Sequence, residues 1–104
     1  MYTIIDDKKY EIITLKSFFD KLKGLMPEKN KITKIYLFEN CSSIHTFFMK
    51  QNIDICILDK NYKIVYLKEN MQKNKILIKK GYYTLEMPLK LASKLKVGDT
   101  LKIN

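Results

Sequence analysis

The apolar residues of this chain fall mostly in short alternating runs bounded by polar turns, which is the period of strands rather than helices. Residues 2–5 and 10–15, YTII and YEIITL, are two such runs, and the polar stretch Asp6-Asp7-Lys8-Lys9 between them predicts an N-terminal hairpin. The period then changes. Around KSFFDKLKGL, residues 16–25, the positions Leu15, Phe18, Phe19, Leu22 and Leu25 recur on one face of a short helix. Ser17 is placed to cap its start, Gly24 stands near its end, and Pro27 prevents it from continuing. Residues 33–38 (TKIYLF) read as a strand, 39–42 (ENCS) as a bend and 43–49 as an extended segment.

The clearest hairpin joins IDICILD, residues 53–59, to YKIVYLK, residues 62–68. Ile53, Ile55 and Ile57 alternate with Asp54, Cys56 and Leu58, and Asp59-Lys60-Asn61 supplies turn chemistry with Asn61 as the left-handed residue. Residues 76–78 and 82–87 either pair around Lys79-Lys80-Gly81 or continue a sheet. Pro88 opens a short helix at 89–95, where its missing N–H is no loss. Gly98-Asp99 then turns the chain into a last strand at 100–103.

The pattern predicts a mainly β (α+β) fold. It is a single compact domain over 1–104, a β-barrel-like or folded sheet of about eight short strands with two short helices. Leu15, Phe19, Leu22, Ile35, Leu37, Ile55, Ile57, Val65, Leu85 and Leu95 are the expected core. A chain of this length can bury roughly 65% of its unfolded surface, enough for one modest core without cross-links. No apolar run is long enough for a membrane span. The opening MYTIIDDKKY has no hydrophobic leader, so the chain reads as cytoplasmic.

Charge changes the picture less than its size suggests. The net charge is +9, all 20 basic residues are lysine, and one alanine, Ala92, stands against fourteen isoleucines. That bias points to an AT-rich genome. Specific nucleic-acid recognition favours the planar fork of arginine, and these lysines are spread along the chain rather than clustered. The expectation is salt-sensitive attraction to polyanions without sequence readout. Cys41 and Cys56 read as free thiols in a cytoplasmic chain, with a disulfide across a hairpin as the alternative.

The candidate chemistry concentrates in residues 41–59, which hold the one histidine, both cysteines and two of the 11 acidic residues. In a strand, Cys41, Ser43, His45, Phe47 and Met49 share a face. His45 is either a ligand-contacting or proton-transferring imidazole, or a structural group holding the bend through backbone or Asp54. Asp54 stands between two isoleucines and needs partners to offset its desolvation. His45, Lys50 and the hydroxyls of Ser43 and Thr46 are the candidates; the other reading is a carboxylate that ties the hairpin to its neighbour. Cys41 and His45 are about 13 Å apart along an extended strand, and they come within reach as a nucleophile pair only if Ser42-Ser43 form a tight turn. One His and two Cys do not make a zinc site, and no other metal or cofactor is implied. Gly24, Leu25 and Met26 end the first helix, and Met26 and Met49 could form an apolar lip beside the polar cluster. Tyr62, Tyr66, Tyr82 and Tyr83 read as stacking platforms or half-buried sheet residues, and Glu86 and Asp99 as turn and strand-end partners for lysines.

In order along the chain, KGLM at 23–26, YLF at 36–38, SIHTFFMK at 43–50, ID at 53–54, LD at 58–59, YTLEMP at 83–88 and GD at 98–99 resemble the domain-of-unknown-function 192 family of bacteria and archaea. The resemblance covers nearly the whole chain from about Leu15. It departs from the family at Lys23, usually Arg, at Phe47-Phe48-Met49, often Phe-Trp-Met, and at Leu89, commonly Gly. It implies a compact β-barrel-like fold and little chemistry, and many relatives carry an export signal.

The leading reading is a non-enzymatic binding or accessory module. Its pocket is built from Gly24, Leu25, Met26, Ser43, His45, Thr46, Met49, Lys50 and Asp54, and it takes a small polar molecule, a sugar or a segment of a partner protein. A monomer or small homo-oligomer suffices. The alternative is an enzyme with His45 as general acid or base oriented by Asp54. A third reading is a polyanion binder with Lys60, Lys63, Lys73, Lys75, Lys79 and Lys80 on one face.

Overall fold

The computed structural model describes residues 1–15, 33–39, 52–72, 75–79 and 81–104, and the backbone of 43–45. The N-terminal hairpin forms with a tighter turn than expected. β1 (Tyr2–Ile5) and β2 (Lys8–Leu15) pair antiparallel with Ile5 opposite Lys8. Asp6 and Asp7 alone connect them, both at positive φ, 52° and 63°. That is the two-residue geometry whose twist matches the flanking strands, so Lys8 and Lys9 belong to β2.

β2 runs parallel to β3 (Ile35–Glu39). β5 (Ile53–Leu58) and β6 (Ile64–Met71) form the expected central hairpin. β8 (Tyr83–Met87) inserts between β3 and β5, antiparallel to both. The result is a curled half-barrel of six strands in the order β1-β2-β3-β8-β5-β6. β4 (Ser43–His45) and β7 (Ile76–Ile78) make a separate two-stranded ribbon. Residues 76–78 and 82–87 therefore do not pair with each other. β8 is almost wholly buried and takes a central place, while Ile76 and Ile78 are exposed on the ribbon. Gly81 lets the chain enter β8, because a Cβ there would collide with the Ile57 side chain.

All six residues of β5 are buried, so the sheet centre is covered on both faces. One cluster gathers Ile12, Ile35, Leu37, Cys56, Leu58, Ile64, Leu85 and Met87 with Leu91 and Leu101. The other gathers Tyr36, Phe38, Ile53, Ile55, Ile57 and Met71, with Leu15, Tyr66 and Leu77 against it. Each fully buried Ile or Leu contributes about 1.5–3 kcal/mol relative to exposure. Five expected core residues, Ile35, Leu37, Ile55, Ile57 and Leu85, are buried there, and Leu15 and Leu95 are partly buried. Val65 is not core and is 45% exposed. The β5–β6 register jumps from Ile57 opposite Tyr66 to Leu58 opposite Ile64, which leaves Val65 as the extra residue of a bulge. Phe19 and Leu22 lie outside the described residues.

Three further expectations need correction. The left-handed residue of the central hairpin is Tyr62, at φ 67°, not Asn61. The Asp59 carboxylate accepts from the amides of Asn61 and Lys63 at 2.8 and 3.0 Å and so moves the reversal on by one residue. Residues 89–95 contain a single 3-10 turn, Ala92–Lys94, rather than an α-helix. Lys90 is left-handed at φ 74°, which no right-handed helix can pass through. The first predicted helix, 16–25, lies outside the described residues. Finally, 100–103 is not a regular strand but makes single bridges, Thr3 with Ile103 and Lys63 with Thr100. It is shared between the two edges of the sheet. Tyr2 and Asn104 exchange both backbone bonds at 2.9 Å, while the Leu101 amide donates to the Tyr62 carbonyl at 2.9 Å. Among the described residues no helix is long and apolar enough to cross a membrane.

Candidate functional site

Asp54 is the one expected site residue whose side chain is described, and it is 1% exposed. Its position in β5, opposite Met87, turns it toward the first cluster. There Oδ1 accepts from the Asn70 amide at 2.8 Å and Oδ2 from the Ala92 amide at 2.9 Å. Two backbone donors supply the compensation that a buried carboxylate needs. Asp54 thus joins the end of β6 to the 3-10 turn, two elements that sequence reasoning had not connected to it.

The bond to Asn70 shapes a cleft. Asn70 is left-handed at φ 52°, and its side-chain oxygen accepts from the Asn52 amide nitrogen at 3.0 Å. Between this end of β6 and β7 lies a cavity of about 340 Å³. Tyr66, Lys68, Asn70 and Lys75 give it polar edges, and Met71, Ile76 and Leu77 give it an apolar wall. The Lys79 ammonium stands 4.8 Å from the centre of the Tyr66 ring. Across β7 lies β4, with His45 opposite Ile76 and Ser43 opposite Ile78. The backbone of Ser43 and His45 therefore borders the strand that lines the cleft. Gly24, Leu25, Met26, Thr46, Met49 and Lys50 lie outside the described residues.

The remaining titratable groups narrow the chemistry. Cys56 is a free, buried thiol, and burial pushes its pKa up to about 12. It stays protonated and unreactive at neutral pH. The Tyr83 ring contacts two others, tilted against Tyr62 at 5.1 Å between centres and edge-to-face with Tyr82 at 4.7 Å. Burial, the hydrogen-bonded Tyr62, Tyr82 and Glu39 push the Tyr83 phenol up to about 12. Glu86 does not stand at a strand end. It lies mid-strand opposite Tyr36 and Ile55, 1% exposed, on the face of the second cluster. The sequence carries no signal of this burial, since Thr84 and Glu86 alternate with Leu85 and Met87 as on a half-exposed strand. Among the described residues no three His, Cys, Asp or Glu come together as metal ligands.

Comparison with known proteins gives a consistent family. The model of the DUF192 family, described as "Uncharacterized ACR", matches residues 2–103. A UPF0127 protein of Pyrococcus horikoshii is 31% identical over 100 residues, spanning 88% of this chain and 86% of the relative. Two crystal structures share the fold. One, from Sinorhizobium meliloti and carrying the provisional name of a transcription regulator, superposes with a TM-score of 0.79 at 15% identity, over 97% of this chain and 89% of that one. The other, a protein of unknown function from Novosphingobium aromaticivorans, gives 0.77 at 14% identity, over 98% and 82%.

Proposed function

The chain belongs to the domain-of-unknown-function 192 family, and we propose that it is a small non-enzymatic binding module whose ligand seats in the β6–β7 cleft. The observation that supports this reading is the cleft itself, where a phenol, a carboxamide and ammonium groups surround an apolar wall. A few placed polar groups over an apolar surface fix a ligand's orientation and give it specificity. The ligand this chemistry suits is a small polar molecule with an anionic group and an apolar portion. The side chains of Ser43, His45, Thr46, Met49 and Lys50 and the Gly24-Leu25-Met26 segment enter the proposal on the sequence argument alone. Asp54 acts in it as the residue that positions Asn70, not as a ligand contact.

The test uses two variants that spare the fold. Lys68→Ala removes an exposed ammonium, and Asn70→Gly removes the carboxamide while tolerating the positive φ. Chemical-shift titration with hydroxy acids, amino sugars and short acidic peptides is expected to perturb β6 and β7 in the wild type. Both variants should weaken that response about tenfold, the effect of losing one charged hydrogen bond. Equal responses from the wild type and both variants would place the site elsewhere.

A further inference from the structure

A second cleft, of about 290 Å³, lies on the side of the first core cluster. We propose that it binds a small phosphomonoester. Lys8, Lys90 and Lys94 line it together with Tyr10, and Pro88 and Leu91 supply apolar walls. Lys8 stands 5.5 Å from the Tyr10 ring centre. Lys94 is also 3.5 Å from the exposed Asp6 carboxylate, which uses one of its three donors and leaves the cleft a net excess of positive charge. The volume exceeds what a bare phosphate fills, and the apolar walls suit an organic substituent.

The backbone at the cleft is also unusual. Lys90 holds φ 74°, a conformation that glycine adopts freely and lysine does not. The surrounding turn imposes it. Ser93 Oγ donates to the Lys90 carbonyl at 2.6 Å, the Leu91 amide donates to the Pro88 carbonyl at 3.3 Å, and buried Asp54 takes the Ala92 amide. The pinned turn fixes where the Lys90 side chain leaves the backbone, beside the cleft that it lines. Strained backbone is found at ligand-binding sites among other places, and at Lys90 it coincides with a lysine-lined cleft. This cleft is distinct from that between β6 and β7, and the inference does not depend on the function proposed there.

The experiment titrates glycerol phosphate into the full chain at low salt, followed by calorimetry and chemical shifts. A single saturable site with shifts centred on residues 88–94 is expected. Affinity should fall several-fold as pH drops through about 6, where the phosphate dianion takes up a proton. Lys90→Gly should melt at the same temperature or higher, since it relieves the strain, yet bind about tenfold more weakly. Lys60→Gln, in the exposed β5–β6 turn, should leave binding unchanged. Absence of saturable binding, or an equal loss in Lys60→Gln, would reduce the effect to general lysine electrostatics and overturn the proposal. Inorganic phosphate binding as tightly as the ester would overturn the assignment of an organic ligand.

Discussion

At the scale of single residues, Asp54 ties two separate elements together from within the core. Its two oxygens serve amides from two different elements, so Asp54→Ala leaves both donors without an acceptor. We expect a loss of about 3 kcal/mol in urea denaturation with an unchanged slope. Asp54→Asn should recover less than half, because its NH₂ would face one of the two amides. Cys56 gives a pH signature. Its ordinary pKa is 9.0, and in the folded chain it is about 12. Below 9 both states keep the proton. Between about 9 and 12 only the unfolded chain loses it, so stability falls by up to about 1.4 kcal/mol per pH unit. Cys56→Ala should show a shallower alkaline loss by denaturant titration at stepped pH. The sequence marked Asp54 as a buried carboxylate needing partners, because isoleucines flank it. It could not name those partners, since both are backbone amides, which leave no trace in residue type. Glu86 was misread for the converse reason: a glutamate looks exposed unless its strand is known to be covered on both faces.

At the scale of elements, the N-terminal turn departs from the usual turn composition. Both central residues are aspartates at positive φ, where glycine is favoured at the second position. Asp7→Gly should therefore raise stability by about 0.5–1 kcal/mol, read as an upward shift in melting temperature. The strands themselves were legible, because alternation and turn residues mark β1, β2, β3, β5, β6 and β8 within a few positions. The exceptions share one cause. Val65 and Asn61 were assigned by perfect alternation and an average turn, whereas a bulge and an Asp59-centred turn each shift the chain by one residue. The short helix expected after Pro88 failed on the φ of Lys90, which the turn imposes and residue identity does not reveal.

At the scale of the whole molecule, pairing rather than strand content is what the sequence withholds. β8 goes to the sheet centre although β7 precedes it in the chain, because its burial on both faces outweighs proximity in sequence. Likewise the β6–β7 cleft unites residues that no local motif relates. Residues 99–104 touch both outer strands and cover part of each edge. Removing 101–104 takes Leu101, 6% exposed, from the first cluster together with the bonds to Tyr2 and Tyr62. Calorimetry should show a loss of about 4 kcal/mol. Size-exclusion chromatography should show association through the bared edge of β1. The reciprocal bonds between Tyr2 and Asn104 also bring these two residues to the Cα separation of a hydrogen-bonded antiparallel pair, about 5.5 Å. Both connections to a host chain would then leave from one spot. The fold is therefore suited to being spliced into a surface loop of another protein, or reconnected end to end and reopened at the Asp59–Tyr62 turn, with its core undisturbed.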